Sequence, residues 1–168
     1  MAETTTRAEF ADFIERMGLF WESEGLPRIA GRLFGFLFLQ SEECSLDEMA
    51  AALGVSKASV STDIRRLEQM GFVERVSRPG DRRDYYAIAR GVTTNMIALR
   101  RAKIERFRAA IFSAAPLEET HPIVHDRLRT MEVVHRHMAA ALDAIVEELE
   151  ADSLDGAVTR APQETTRQ

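Results

Sequence analysis

Between Ser45 and Ala89 the chain is punctuated so closely that few folds can accommodate it. Ser45-Leu46-Asp47-Glu48 reads as a capping box, in which the serine side chain accepts from the Glu48 backbone N–H and the glutamate reaches back. The short helix it starts runs to Leu53 and is closed by Gly54, which accepts a left-handed backbone conformation. Ser56 then caps a helix over Lys57 to Met70, which Gly71 ends. Phe72 to Val76 alternates as a strand, Ser77 to Asp84 turns about Pro79-Gly80, and Tyr85 to Ala89 is the returning strand.

Helix, tight turn, helix, strand, glycine turn, strand is the order of a winged helix-turn-helix. The flanking sequence is helical. Phe10, Phe13, Ile14, Met17, Phe20 and Trp21 recur at helical spacing, predicting a helix from about Thr6 to Glu24, stopped by Gly25. Pro27 opens a second helix to about Gln40 that is apolar on most sides, as a central core helix is. Thr93 or Thr94 caps a long helix to about Phe112, 114–122 is a loop, and a last helix covers about 123–150. Its line Val124, Leu128, Met131, His135, Met138, Leu142, Ile145, Leu149 steps alternately by four and three, a heptad seam that needs another helix. The expected fold is mainly α with a small antiparallel β-hairpin wing: a winged helix-turn-helix plus a helical dimerisation domain. Residues 1–8 are expected to be a flexible N-terminus, 9–44 N-terminal helices serving core and dimer, 45–90 the winged domain, 91–150 the dimerisation helices and 151–168 a disordered tail.

The winged segment has the chemistry of a duplex reader. Val60, Ile64 and Leu67 lie at i, i+4, i+7 and must face inward. That leaves Lys57, Ser59, Ser61, Thr62, Arg65 and Arg66 on outer or flanking faces, where hydroxyls can approach base edges and an arginine can fork onto guanine. Ser56 and the helix N-terminus can bind a phosphate. In the wing, Arg78, Arg82 and Arg83 surround Pro79-Gly80-Asp81, and an arginine at the tip suits a minor groove. Asp81 or Asp84 can orient one of those guanidiniums. The formal charge is −5, which argues against nucleic acid only if it is spread evenly. It is not: residues 56–90 hold eight basic against five acidic side chains, and 91–112 five against one, so the local field favours DNA. An arginine-rich turn is also an ordinary solvated hairpin, and winged helices also bind proteins. Wing, capped helix and positive balance together favour DNA.

Residues Ala50 to Ser56 and Arg66 to Arg75 resemble the MarR-type winged helix. With Phe13 to Gly18, Gly25 to Leu33 and Gly80-Asp81-Arg82-Arg83-Asp84-Tyr85-Tyr86, the chain resembles the GbsR-like branch of that family, over about Phe10 to Glu150. That branch includes regulators of osmoprotectant uptake and synthesis and a mycobacterial repressor of efflux pumps. The resemblance implies a homodimer built on its terminal helices, two winged lobes on a roughly palindromic site, and control by a small ligand held between lobes and dimer domain. The strand after the wing departs from the family, ending Ala87-Ile88-Ala89-Arg90-Gly91 without the usual Leu-Thr.

The sequence itself argues for self-association, because the winged lobe is too small to cover the seam and the first helix carries many aromatics. The competing arrangement closes the first, fifth and last helices into a bundle within one chain. Phe20, Trp21, Phe34 and Phe38 are candidates to line a site for a small apolar or cationic ligand, and core packing is the plainer reading of each. His121 and His125 stand at i, i+4, a zinc-compatible spacing with no clear further ligand, so no metal or cofactor is expected. His135 is read as a hydrogen-bonded core histidine. Cys44 has Glu42 and Glu43 beside it to raise its pKa, and is read as an idle thiol. No nucleophile–base pair or phosphate loop appears, so no enzyme is expected. Met1 to Arg7 lacks the pattern of a signal peptide, and the longest apolar run, Leu33 to Leu39, is far short of a membrane span. A cytoplasmic repressor, binding double-stranded DNA as a homodimer without a membrane partner, is the reading. A protein-interaction module or metal-responsive switch is the alternative.

Overall fold

A computed structural model of the protein describes residues 2–151, with side chains from residue 8. The expected disordered tail lies, from residue 152 on, outside the described residues. The chain divides into two compact units near Val92.

The first unit holds helix α1 (Ala2–Ser23), α2 (Arg28–Phe38), strand β1 (Cys44–Ser45), α3 (Leu46–Leu53), α4 (Lys57–Gln69), β2 (Val73–Ser77) and β3 (Asp84–Ile88). Helix α1 starts at Ala2, ahead of the expected start near Thr6. The sheet order is β1-β3-β2, both pairs antiparallel. The hairpin pairs Val73 with Ile88 through Ser77 with Asp84, so each strand is displaced by one residue from its expected bounds. Strand β1 was not expected: its two residues pair Cys44 with Tyr86 and Ser45 with Tyr85, and so short a segment has no alternation to read.

The core is formed by Ala30, Leu33, Phe34 and Leu37 of α2, Met49 and Leu53 of α3, Val60, Ile64 and Leu67 of α4, and Phe72, Val73 and Ile88 at the sheet. The capping box at Ser45 forms, with Ser45 Oγ accepting from the Glu48 N–H at 3.3 Å and Glu48 Oε2 accepting from the Ser45 N–H at 2.7 Å. Gly54 closes α3 at φ +63°, a conformation that a Cβ would strain. Helices α1 and α2 cross so closely that a Cβ on Gly31 would lie 2.5 Å from the Met17 carbonyl oxygen and 2.8 Å from Trp21 Cβ.

The second unit is α5 (Val92–Phe112, its first residue in the first unit), a 3₁₀ turn at Ala115–Leu117 and α6 (Pro122–Ala151). Arg101 pairs with Asp143, and Arg108 lies 3.8 Å from Glu132, so the helices run antiparallel. Leu128 and His135 of the heptad line are buried, and the His135 ring sits 5.8 Å from Phe107 and 6.5 Å from Phe112. Farther along the line Met138 and Ile145 remain 43% and 45% exposed, so one chain covers only part of the seam.

Candidate nucleic-acid interface

Helix α4 buries Val60, Ile64 and Leu67, the expected inner line, together with Asp63, and leaves Lys57, Thr62 and Arg65 exposed. Ser56 Oγ accepts from the Ser59 N–H at 3.1 Å, and the two hydroxyls are 2.8 Å apart. Capping uses a lone pair and leaves Ser56 at the surface, beside the N–H groups of the first turn. Thr62 Oγ1 donates to the Ala58 carbonyl at 3.0 Å, and Arg65 Nη2 donates to Ser61 Oγ at 2.9 Å. Thr62 and Arg65 are exposed. Lys57 Nζ lies 2.8 Å from Asp47 in the first turn of α3. Both groups are exposed, so the pair is weak and a phosphate could displace the carboxylate. Arg66 is tied to Asp63 at 2.9 Å, and burial raises the Asp63 carboxyl above its ordinary pKa although Arg66 opposes the shift.

The wing is organised around Tyr85. Adjacent strand residues face opposite sides of a sheet, yet Tyr85 and Tyr86 are both buried. Arginine stems supply the cover over Tyr85, with the Arg78 guanidinium 4.0 Å from its ring centroid and that of Arg83 5.4 Å away. Asp81 takes Arg83 in a fork, with Oδ2 accepting from Nη2 at 2.6 Å and from Nε at 3.0 Å. The Arg83 backbone N–H donates to Asp81 Oδ1 and the Tyr85 hydroxyl donates to Oδ2, both at 2.9 Å. The Arg83 bonds first, then the tyrosine hydroxyl, hold the Asp81 carboxyl well below the usual carboxylate range. Of the two aspartates considered from sequence, Asp81 orients the tip arginine, while Asp84 sits 3.1 Å from Arg75 across the hairpin. Arg78 turns back, donating from Nε to Glu43 Oε1 at 2.8 Å and from Nη2 to the Glu43 carbonyl at 3.2 Å. That bond lowers the Glu43 pKa and raises that of Arg78. Arg82 is exposed and has no ion-pair partner among the described residues.

The four aromatic candidates part company. Trp21 and Phe34 are each 4% exposed, stacked with centroids 5.1 Å apart and packed on Phe72 at 5.3 and 6.1 Å. Phe20 and Phe38 are each 51% exposed. His125 Nδ1 is 2.8 Å from Glu118, and His121 Nδ1 is 2.8 Å from the Thr120 hydroxyl. Among the described residues no group of three or more His, Cys, Asp or Glu side chains could hold a metal ion. His135 Nδ1 lies 2.8 Å from the Met131 carbonyl. The Cys44 thiol is pushed up to about 11, by burial first and Glu48 next, with Glu43 and Glu42 contributing less. Among the described residues no helix is long and apolar enough to cross a membrane.

Sequence reasoning missed the residues that hold the cations: Asp47 beside Lys57, and Asp63, Glu43 and Tyr85 beside arginines. Asp63 had a signal, since it stands three positions before Arg66 in a helix. Glu43 had none, because its partner is 35 residues away.

Comparison with known proteins agrees with this geometry. The MarR family model matches residues 38–85. HTH-type transcriptional regulator MmpR5 of Mycobacterium tuberculosis is 43% identical over 81 residues, 48% of this chain and 49% of that protein. HTH-type transcriptional repressor OpcR of Bacillus subtilis is 27% identical over 86 residues, 51% of this chain and 46% of that protein. The chain thus spans about half the length of the curated relatives it matches. A crystal structure of a transcriptional regulator is similar at 30% identity and a TM-score of 0.69, over 85% of this chain and 99% of that one.

Proposed function

We propose that this chain, whose residues 38–85 match the MarR family of transcriptional regulators, is a cytoplasmic repressor of the GbsR-like branch that binds a pseudo-palindromic operator as a homodimer. The observation that carries the reading is the pairing of a capped, hydroxyl-bearing helix with a wing whose tip arginine is aimed by Asp81. In this reading Ser56, Lys57, Ser59, Ser61, Thr62, Arg65 and Arg66 meet base edges and phosphates, and Arg82 and Arg83 grip the flanking groove. Arg78, matched by Glu43, steadies the wing from behind. The relative named as a repressor supports the sign of regulation, and the block Phe13 to Leu33 supports the branch.

The dimer rests on α5 and α6, whose uncovered Met138 and Ile145 continue the seam. Two-fold symmetry would set the recognition helices about 34 Å apart, one turn of DNA. Control by a small apolar or cationic ligand would act through the exposed rings of Phe20 and Phe38 rather than through the buried Trp21 and Phe34. Selection of bound duplexes from a random pool tests the proposal. Enrichment of two inverted half-sites about ten base pairs apart is expected. No retained duplex at low salt would overturn it.

A further inference from the structure

We infer that Arg32 is a positioning residue for the recognition helix, tethered by Glu15 on α1 and holding the α3–α4 turn through the Leu53 carbonyl. The inference rests on the DNA-binding reading of α4. Leu53 is the last residue of α3, so its carbonyl has no partner within the helix. Arg32 Nη2 donates to that oxygen at 3.0 Å. Only Gly54 and Val55 separate it from Ser56, the N-cap of α4, so the bond fixes the joint from which the recognition helix departs.

The other side of the guanidinium is anchored on α1. Arg32 Nε lies 2.7 Å from Glu15 Oε1. The contact is off the N–H axis, so it is an ion pair, and this buried nitrogen has no hydrogen-bond acceptor among the described residues. Glu15 Oε2 accepts from Arg28 Nη2 at 2.9 Å. Gly18, three residues beyond Glu15 on the same face, makes room for both arginine stems: a Cβ there would lie 2.8 Å from Arg32 Cγ and 3.1 Å from Arg28 Cγ. Three helices therefore meet on one planar cation. Lysine has three rotatable donors on one compact ammonium and no planar fork, so it would not hold the carboxylate and the carbonyl in the same fixed geometry. The Arg32 side chain is 22% exposed, with Nε buried beside Glu15 and Nη2 given to the Leu53 carbonyl, which separates it from a phosphate contact.

The test measures two quantities on the full chain: amide hydrogen exchange at Val55 and Ser59 without DNA, and affinity for the selected duplex across a salt series. Glu15→Ala puts the strongest helix former at a half-exposed helix position, so the fold is retained. In Glu15→Ala and Arg32→Lys, exchange at both amides should rise about tenfold, and affinity should fall about tenfold, at an unchanged salt slope. Arg28→Gln, which loses a partner of Glu15 but reaches no carbonyl, should change neither by more than about twofold. Unchanged exchange in both test variants overturns the inference. So does a shallower salt slope, which would make Arg32 a phosphate contact, or an Arg28→Gln effect equal to that of Glu15→Ala. Exchange is read without DNA, so it decides the joint even if the protein binds no duplex, an outcome that would sink the functional reading alone.

Discussion

At the scale of single residues, the arginines divide by what holds them. Arg82 has no counterion among the described residues, Arg83 is aimed by Asp81, and Arg78 is held by Glu43. Replacing Arg82 with Ala should weaken binding on all sequences and lower the salt slope by about one, read by anisotropy titration. An unchanged slope would remove Arg82 from the interface. Asp81 makes a pH prediction. Its carboxyl titrates lower in the fold than in the unfolded chain, so its stabilisation is complete above the unfolded pKa and is lost as pH falls through the folded one. The melting difference between wild type and Asp81→Asn should be flat at neutral pH and shrink only below about pH 4. A difference that shrinks near neutrality would contradict this. Cys44, pushed up to about 11, should label slowly with thiol reagents at neutral pH and quickly once urea unfolds the chain. Fast labelling of the native protein would reopen a redox role.

At the scale of elements, local sequence and nonlocal packing contribute differently. Ser45, Gly54 and Ser56 marked the ends of α3 and α4 correctly because capping is settled within four residues. Ser45→Ala should cost about 1–2 kcal/mol in urea unfolding, since it removes the cap acceptor. An unmoved midpoint would mean that the sheet carries the segment alone. Strand β1 and the Glu43–Arg78 bond were illegible because each depends on a partner tens of residues away. The α1–α2 crossing was half legible. Its apolar spacing was plain, but the roles of Gly18 and Gly31 emerge only when the helices are laid together. Gly31→Ala should destabilise by about 1–3 kcal/mol through overpacking.

At the scale of the whole molecule, the exposed Met138 and Ile145 of the α6 seam bear the weight of the dimer proposal. Met138→Glu should shift the sedimenting species to a monomer and reduce affinity for a two-half-site operator far more than for a single half-site. A monomeric wild type would end that proposal and leave the seam unexplained.

Although the expected cap at Thr93 or Thr94 lies inside α5, which starts at Val92, the chain read alone determined the order of its helices and hairpin, the N-caps of α3 and α4, the inner line of α4 and the presence of a basic wing. These follow from periodicity and turn chemistry that act over a few residues. Tertiary structure decided which carboxylate holds which arginine, that Trp21 and Phe34 are core while Phe20 and Phe38 are surface, and that Arg32 joins three helices. The reason is physical: a charge or ring takes its role from neighbours brought close by folding, and linear spacing carries no measure of that distance.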